Sequence, residues 1–118
     1  MAIVNAQLTT TQLDLLTVPA SKTYAVTNIL VCNSYDPDAA DALTKSAKFD
    51  MHLIPSGEPL SLTKTTVVRQ LTLPAGETFT FDSERIVLDT GDKISFVAEP
   101  DISAGLTNLA ATVSYLEV

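Results

Sequence analysis

Nucleophilic catalysis needs a base beside its nucleophile, and this chain has one histidine, His52, to supply it. No Gly-x-Ser-x-Gly turn is present to lift a serine above a sheet. Alternation along Phe49-Asp-Met-His-Leu-Ile54 sets His52 with Asp50 on a polar strand face, where it reads as an ordinary surface or interface histidine. A lone imidazole also falls short of the several histidines of a metal-binding first shell. Asp36, Asp38 and Asp41 could offer oxygen ligands to Ca²⁺, but Pro37 stiffens the stretch and no Asp-x-Asp-x-Asp-Gly run leads on to a Glu. They read as a solvated acidic loop. Cys32 follows Ile29-Leu30-Val31 with no base or cation beside it, so it reads as a small buried hydrophobe and not a reactive thiol. Of the seven Tyr and Phe rings only Tyr35 falls in a loop, which leaves a thin platform for a glycan. The expectation is a protein that is not an enzyme and carries no cofactor and no metal.

Composition narrows the partners. Seven Lys and Arg against fourteen Asp and Glu give a net charge of −7, the wrong sign for phosphate backbones, so nucleic acid is not expected. A cationic surface suits the chain better. The apolar share is 46% with 18% charged residues, which is high for a free monomer and points to apolar surface facing a partner. The apolar runs are too short to span a membrane as helices, and Met1-Ala-Ile-Val-Asn5 lacks the basic start and apolar core of a signal peptide. Use in a reducing cytoplasm, or assembly there into something larger, is the expectation.

The elements that must position these residues are strands. Residues 2–8, 13–18, 23–33, 48–54, 65–73, 78–81, 85–88, 93–98 and 109–117 have strand character, separated by turns rich in Pro, Gly, Ser and Asp. Eight or nine short strands in 118 residues predict one all-β domain, an antiparallel β-sandwich of jelly-roll-like form. Alternation assigns Val26, Phe49, Met51, Leu53, Phe79, Phe81, Ile94, Phe96 and Val113 to the core. In the last strand, Ala111, Val113, Tyr115 and Glu117 oppose Thr112, Ser114, Leu116 and Val118. Residues 34–45 form the longest loop, acidic and projecting, with a short helical turn expected near Asp38. Residues 57–64 and 99–108 are further projecting connections. Asp82, Glu84 and Arg85 read as a charged hairpin between Phe81 and Ile86.

One phrase occurs twice: Thr17-Val-Pro-Ala-Ser-Lys-Thr-Tyr24 and Thr72-Leu-Pro-Ala-Gly-Glu-Thr-Phe79. Each copy closes a strand with Pro, turns through small residues and starts another strand on Thr and an aromatic ring. The two copies are expected at similar corners of the fold.

Those phrases, with residues 25–33, His52-Leu-Ile-Pro-Ser-Gly57, Ile86-Val-Leu-Asp-Thr-Gly-Asp92 and Ser114-Tyr-Leu-Glu-Val118, resemble the small all-β structural proteins of tailed-phage virions. The resemblance runs from about Leu13 to Val118. It implies a non-enzymatic virion protein, commonly a trimer, that decorates or cements a capsid, or sits in the neck, tail or fibre. The partner it implies is the major capsid protein or another virion protein, with assembly in the host cytoplasm. A receptor- or glycan-binding module of a fibre, spike or tail is the competing expectation. Proteins of this kind often dock through an N-terminal strand, so residues 1–8, with Ala2, Ile3 and Val4, are candidate partner contacts, an ordinary first strand of the sheet being the other reading. Tyr35, Asp36, Asp38 and Asp41 of the long loop are the others.

Overall fold

The computed structural model describes residues 2–81, 86–99 and 108–118. Among the described residues nine strands form where alternation placed them: β1 (Ala2–Gln7), β2 (Leu13–Thr17), β3 (Thr23–Asn33), β4 (Ala47–Ile54), β5 (Thr66–Leu73), β6 (Thr78–Phe81), β7 (Ile86–Asp89), β8 (Lys93–Ala98) and β9 (Leu109–Glu117). They make two antiparallel sheets packed face to face, an all-β sandwich. One sheet runs β1-β9-β3-β6 with β7 also on β3; the other runs β2-β8-β4-β5. The helical turn expected to begin near Asp38 lies further along the loop, as a 3-10 turn at Ala42–Thr44.

The core lies between the sheets. Phe49 and Phe96 from one sheet and Val26, Ile29, Val31 and Val113 from the other are buried, and the Phe49 ring meets the Phe79 ring edge-on across the sandwich at 5.7 Å. Met51 and Ile94 are buried as expected, whereas Leu53, Phe79 and Phe81 only pack against the core's margin. Cys32 departs from expectation. It sits on the outward face of β3 and is half-buried, because alternation from buried Val31 turns it away from the core.

β6 and β7, expected as the two arms of a hairpin, do not pair with each other. β6 pairs with Ile29–Cys32 and β7 with Thr23–Val26, both antiparallel to β3 and one after the other along it. At eleven residues β3 is long enough to hold both, so they form one interrupted edge. Residues 82–85 themselves lie outside the described residues, as does most of the expected connection 99–108.

Both copies of the repeated phrase carry the chain from an edge strand of one sheet into the other, β2 to β3 and β5 to β6. Both turn through a left-handed residue at the same position, Ser21 at φ 63° and Gly76 at φ 79°. Sequence similarity here is similarity of corner. A Cβ at Gly76 would stand 2.8 Å from the Pro37 ring, so Gly76→Ala meets strain and a clash together. It is expected to cost more than about 1 kcal/mol and lower the melting temperature by roughly 4 °C or more, measured by circular dichroism. Ser21→Gly relieves the same strain without a clash and is expected not to lower it.

Candidate functional site

The long loop is tied down at its base. Asn33 is fully buried and donates from Nδ2 to the carbonyls of Lys45 (2.9 Å) and Leu73 (3.0 Å), while its Oδ1 accepts from Tyr35 N–H (3.1 Å). Gly76 N–H donates to the Asn33 carbonyl at 2.8 Å, so one side chain and its backbone join both ends of the loop to the second repeated corner. Pro37 rests on that corner. Tyr35 is half-buried and donates its hydroxyl to Asp41 at 2.6 Å, with Lys45 Nζ lying 5.9 Å from the ring centroid. That hydrogen bond raises the Tyr35 pKa and lowers that of Asp41. Asp36 turns inward on its own loop, accepting from Asp38 N–H at 2.9 Å. Tyr35 and Asp41 are therefore brought together, while Asp36 and Asp38 share a turn. Among the described residues, no group of three acidic, His or Cys side chains could hold a metal ion.

His52 is on the polar face of β4, as alternation required, but it is fully buried and not a surface histidine. Residues 55–65 fold back over it: Leu53 N–H donates to the Thr65 carbonyl, and His52 Nδ1 lies 3.0 Å from Thr65 Oγ1. Thr65 Oγ1 gives its own hydrogen to the Ser61 carbonyl at 2.8 Å, so His52 Nδ1–H is the donor and Nε2 is the bare nitrogen. Nε2 is buried with no hydrogen bond to any described residue. Burial holds the His52 pKa below its ordinary value. The second projecting connection of the sequence is thus a cover over this face.

Pairing sets Asp14, Ser95, His52 and Thr66 in one row across four strands, an acid, a serine and a histidine side by side. The order is wrong for catalysis. Ser95 Oγ donates to Asp14 at 2.6 Å, and Ser95, like His52, is fully buried, so no imidazole stands between serine and carboxylate. Burial opposes ionisation of Asp14, but hydrogen bonds from Ser95, Gln12 and Lys93 outweigh it and leave the carboxyl below its ordinary pKa. Beside this row, buried Asp50 accepts from Arg69 Nη1 and from Gln70 N–H, each at 2.7 Å. The second bond holds Gln70 at φ 50°, within the bulge that breaks the β4–β5 register.

The other outward face has a different chemistry. Cross-strand rows on the β1-β9-β3-β6 sheet read Gln7, Ala110, Cys32, Thr78 and then Asn5, Thr112, Leu30, Thr80. The next two are Ile3, Ser114, Asn28 and Leu116, Ala25, Val87. These rows hold no charged residue. Of the large apolar side chains exposed among the described residues, Ile3, Val87, Leu116 and Val118 belong to this face. The chain matches no family model, and no curated protein or solved structure is significantly similar to it.

Strand β1 is an edge of this sheet, paired with β9 in unbroken register from Ala2↔Tyr115 to Gln7↔Ala110. Val4 turns toward the core, whereas Ala2 and Ile3 are exposed. Leu8 N–H donates to the Leu109 carbonyl at 2.9 Å, and from there the antiparallel alternation makes Ala6 and Val4 the residues bonded to β9. The backbone groups of Ile3 and Asn5 accordingly point to the outer edge. Alternation in residues 110–118 was the signal for this face. Which strands lie beside them is a matter of topology that the sequence does not spell out.

Proposed function

We propose that the protein is a non-enzymatic structural component of a tailed-phage virion, a decoration protein that binds the assembled shell in many copies and cements it. The β1 edge carries this reading. Proteins ordinarily blunt their sheet edges, and the other edges here are blunted. β5 is bulged and bears Arg69, β2 is bulged beside Asp14, and the β6–β7 edge is interrupted. β1 is uncharged, unbulged and six residues long, with Ile3 66% exposed, an edge to which a neighbour's strand can add.

The virion setting rests on the resemblance of the repeated phrases, and the strand order agrees with it. With β6 and β7 counted as one interrupted strand, the sheets run 1-9-3-6/7 and 2-8-4-5, which we read as a jelly-roll. Viral shells use that fold, but so do lectins, and the fold alone does not choose between them. Against a glycan-binding module stands Tyr35, whose hydroxyl is tied to Asp41. The partner in this reading is the major capsid protein or another virion protein, and the protein self-associates, as a trimer by the resemblance.

Deleting residues 2–8 would not test docking cleanly, because Leu8 is 1% exposed and part of the core. Asn5→Pro removes one outward N–H and keeps the bonds to β9. Particles carrying the wild-type protein are expected to survive heat or osmotic shock better than particles without it, by linkage to the assembled state. Asn5→Pro is expected to fold yet fail to protect. Localisation by cryo-microscopy to a tail or fibre tip, with shell stability unchanged, would overturn the cement reading.

A further inference from the structure

We propose that copies of this chain associate through the uncharged outward face of the β1-β9-β3-β6 sheet, each covering the apolar end of another's. The inference rests on the self-association in the reading above and names the surface that performs it. An antiparallel sheet with one face on the core ordinarily turns charged and polar side chains to water on the other. The β2-β8-β4-β5 sheet does so, with Asp14, Lys48 and Lys93 facing outward. On the opposite face Leu116, Ala25 and Val87 stand side by side, with Ile3 in the adjoining row, and among the described residues of these strand pairs the charge next to them is Asp89, paired with Thr23.

Charge selects the occupant. At a net −7 two copies repel over most of their surfaces, so they close at least cost where neither carries charge. That is also where burial of exposed apolar side chains returns the most. A cationic partner would find no carboxylate in these four rows to pair with. Four strands about 4.8 Å apart and roughly eight residues long at about 3.3 Å each span on the order of 500 Å² in projection. One partner brings a comparable area to the smaller specific interfaces, about 600 Å². A patch of this kind, present on every copy, closes around a symmetry axis.

The test is light scattering on the size-exclusion peak at tens of micromolar. Leu116→Glu with Val87→Glu places charge on the apolar end, Ala110→Glu on the other end, and Thr72→Glu on the opposite sheet as the control. All four positions are exposed. Wild type and Thr72→Glu are expected at a multiple of 12.6 kDa, and both face variants at 12.6 kDa with cooperative melts. If the double variant fails to fold, Ala110→Glu decides. An oligomeric wild type whose face variants keep its mass would overturn this face and leave self-association standing. A monomeric wild type would overturn both.

Discussion

Phe49→Ala is expected to remove about 3–5 kcal/mol of unfolding free energy, as a fully buried aromatic truncation does when the site cannot collapse. Phe49 is 0% exposed, on the central β4 strand, and its ring has Phe79 at 5.7 Å from the facing sheet and Phe96 at 6.3 Å from its own. Removing it opens a cavity between the layers where both remaining rings lose contacts. Small domains hold only about 5–15 kcal/mol in total, so the variant should sit near the edge of folding. Phe81 gives the contrast. It packs on the core's margin, and Phe81→Ala is expected to cost less than half as much. Urea titrations of the two variants decide it: equal losses would mean that the core is not centred on β4.

That gradation shows what was legible in the chain. All nine strands could be read because alternation and turn residues are local, and the inward side of β4 and β8 followed from the same period. The relation between strands was not local. Nothing in residues 78–89 says that β3 is long enough to pair with β6 and β7 in turn, so the charged break between them looked like a hairpin. Cys32 followed a buried valine in a strand-like run, and only its place on the outward side of β3 distinguishes it from the core. The uncharged face was spelled out one strand at a time: Ile3 and Asn5, then Leu30, then Thr112 to Leu116. It becomes a surface only when β9 lies between β1 and β3. The candidate loop residues were placed correctly in a loop, but Asn33, which fastens that loop, was lost at the end of a strand.

His52 leads to the other large expected effect, a loss of stability on mild acidification. Its polar face was legible, while its burial depends on residues 55–65 folding back so that Thr65 reaches Nδ1. With Nδ1–H donated to Thr65, acid must place the second proton on Nε2, which is buried and has no hydrogen bond to a described residue. Burial therefore holds the folded pKa below the ordinary 6.5, with Arg69 adding to the depression and Asp50 opposing it. Below pH 6.5 the unfolded chain binds a proton that the folded chain refuses. The contribution is thus intact above that pH and lost as pH falls toward the folded pKa, with a slope of at most about 1.4 kcal/mol per pH unit for one proton. The carboxyl groups ordinarily titrate lower, and the chain has no second histidine to share the window from pH 7 to 5.5. His52→Leu keeps an apolar filling beneath the loop, and Thr65 Oγ1 retains its bonds to Ser61. Urea midpoints across that window should fall for the wild type and stay level for His52→Leu. Parallel slopes in the two proteins would show that the histidine titrates freely and that the loop does not seal it.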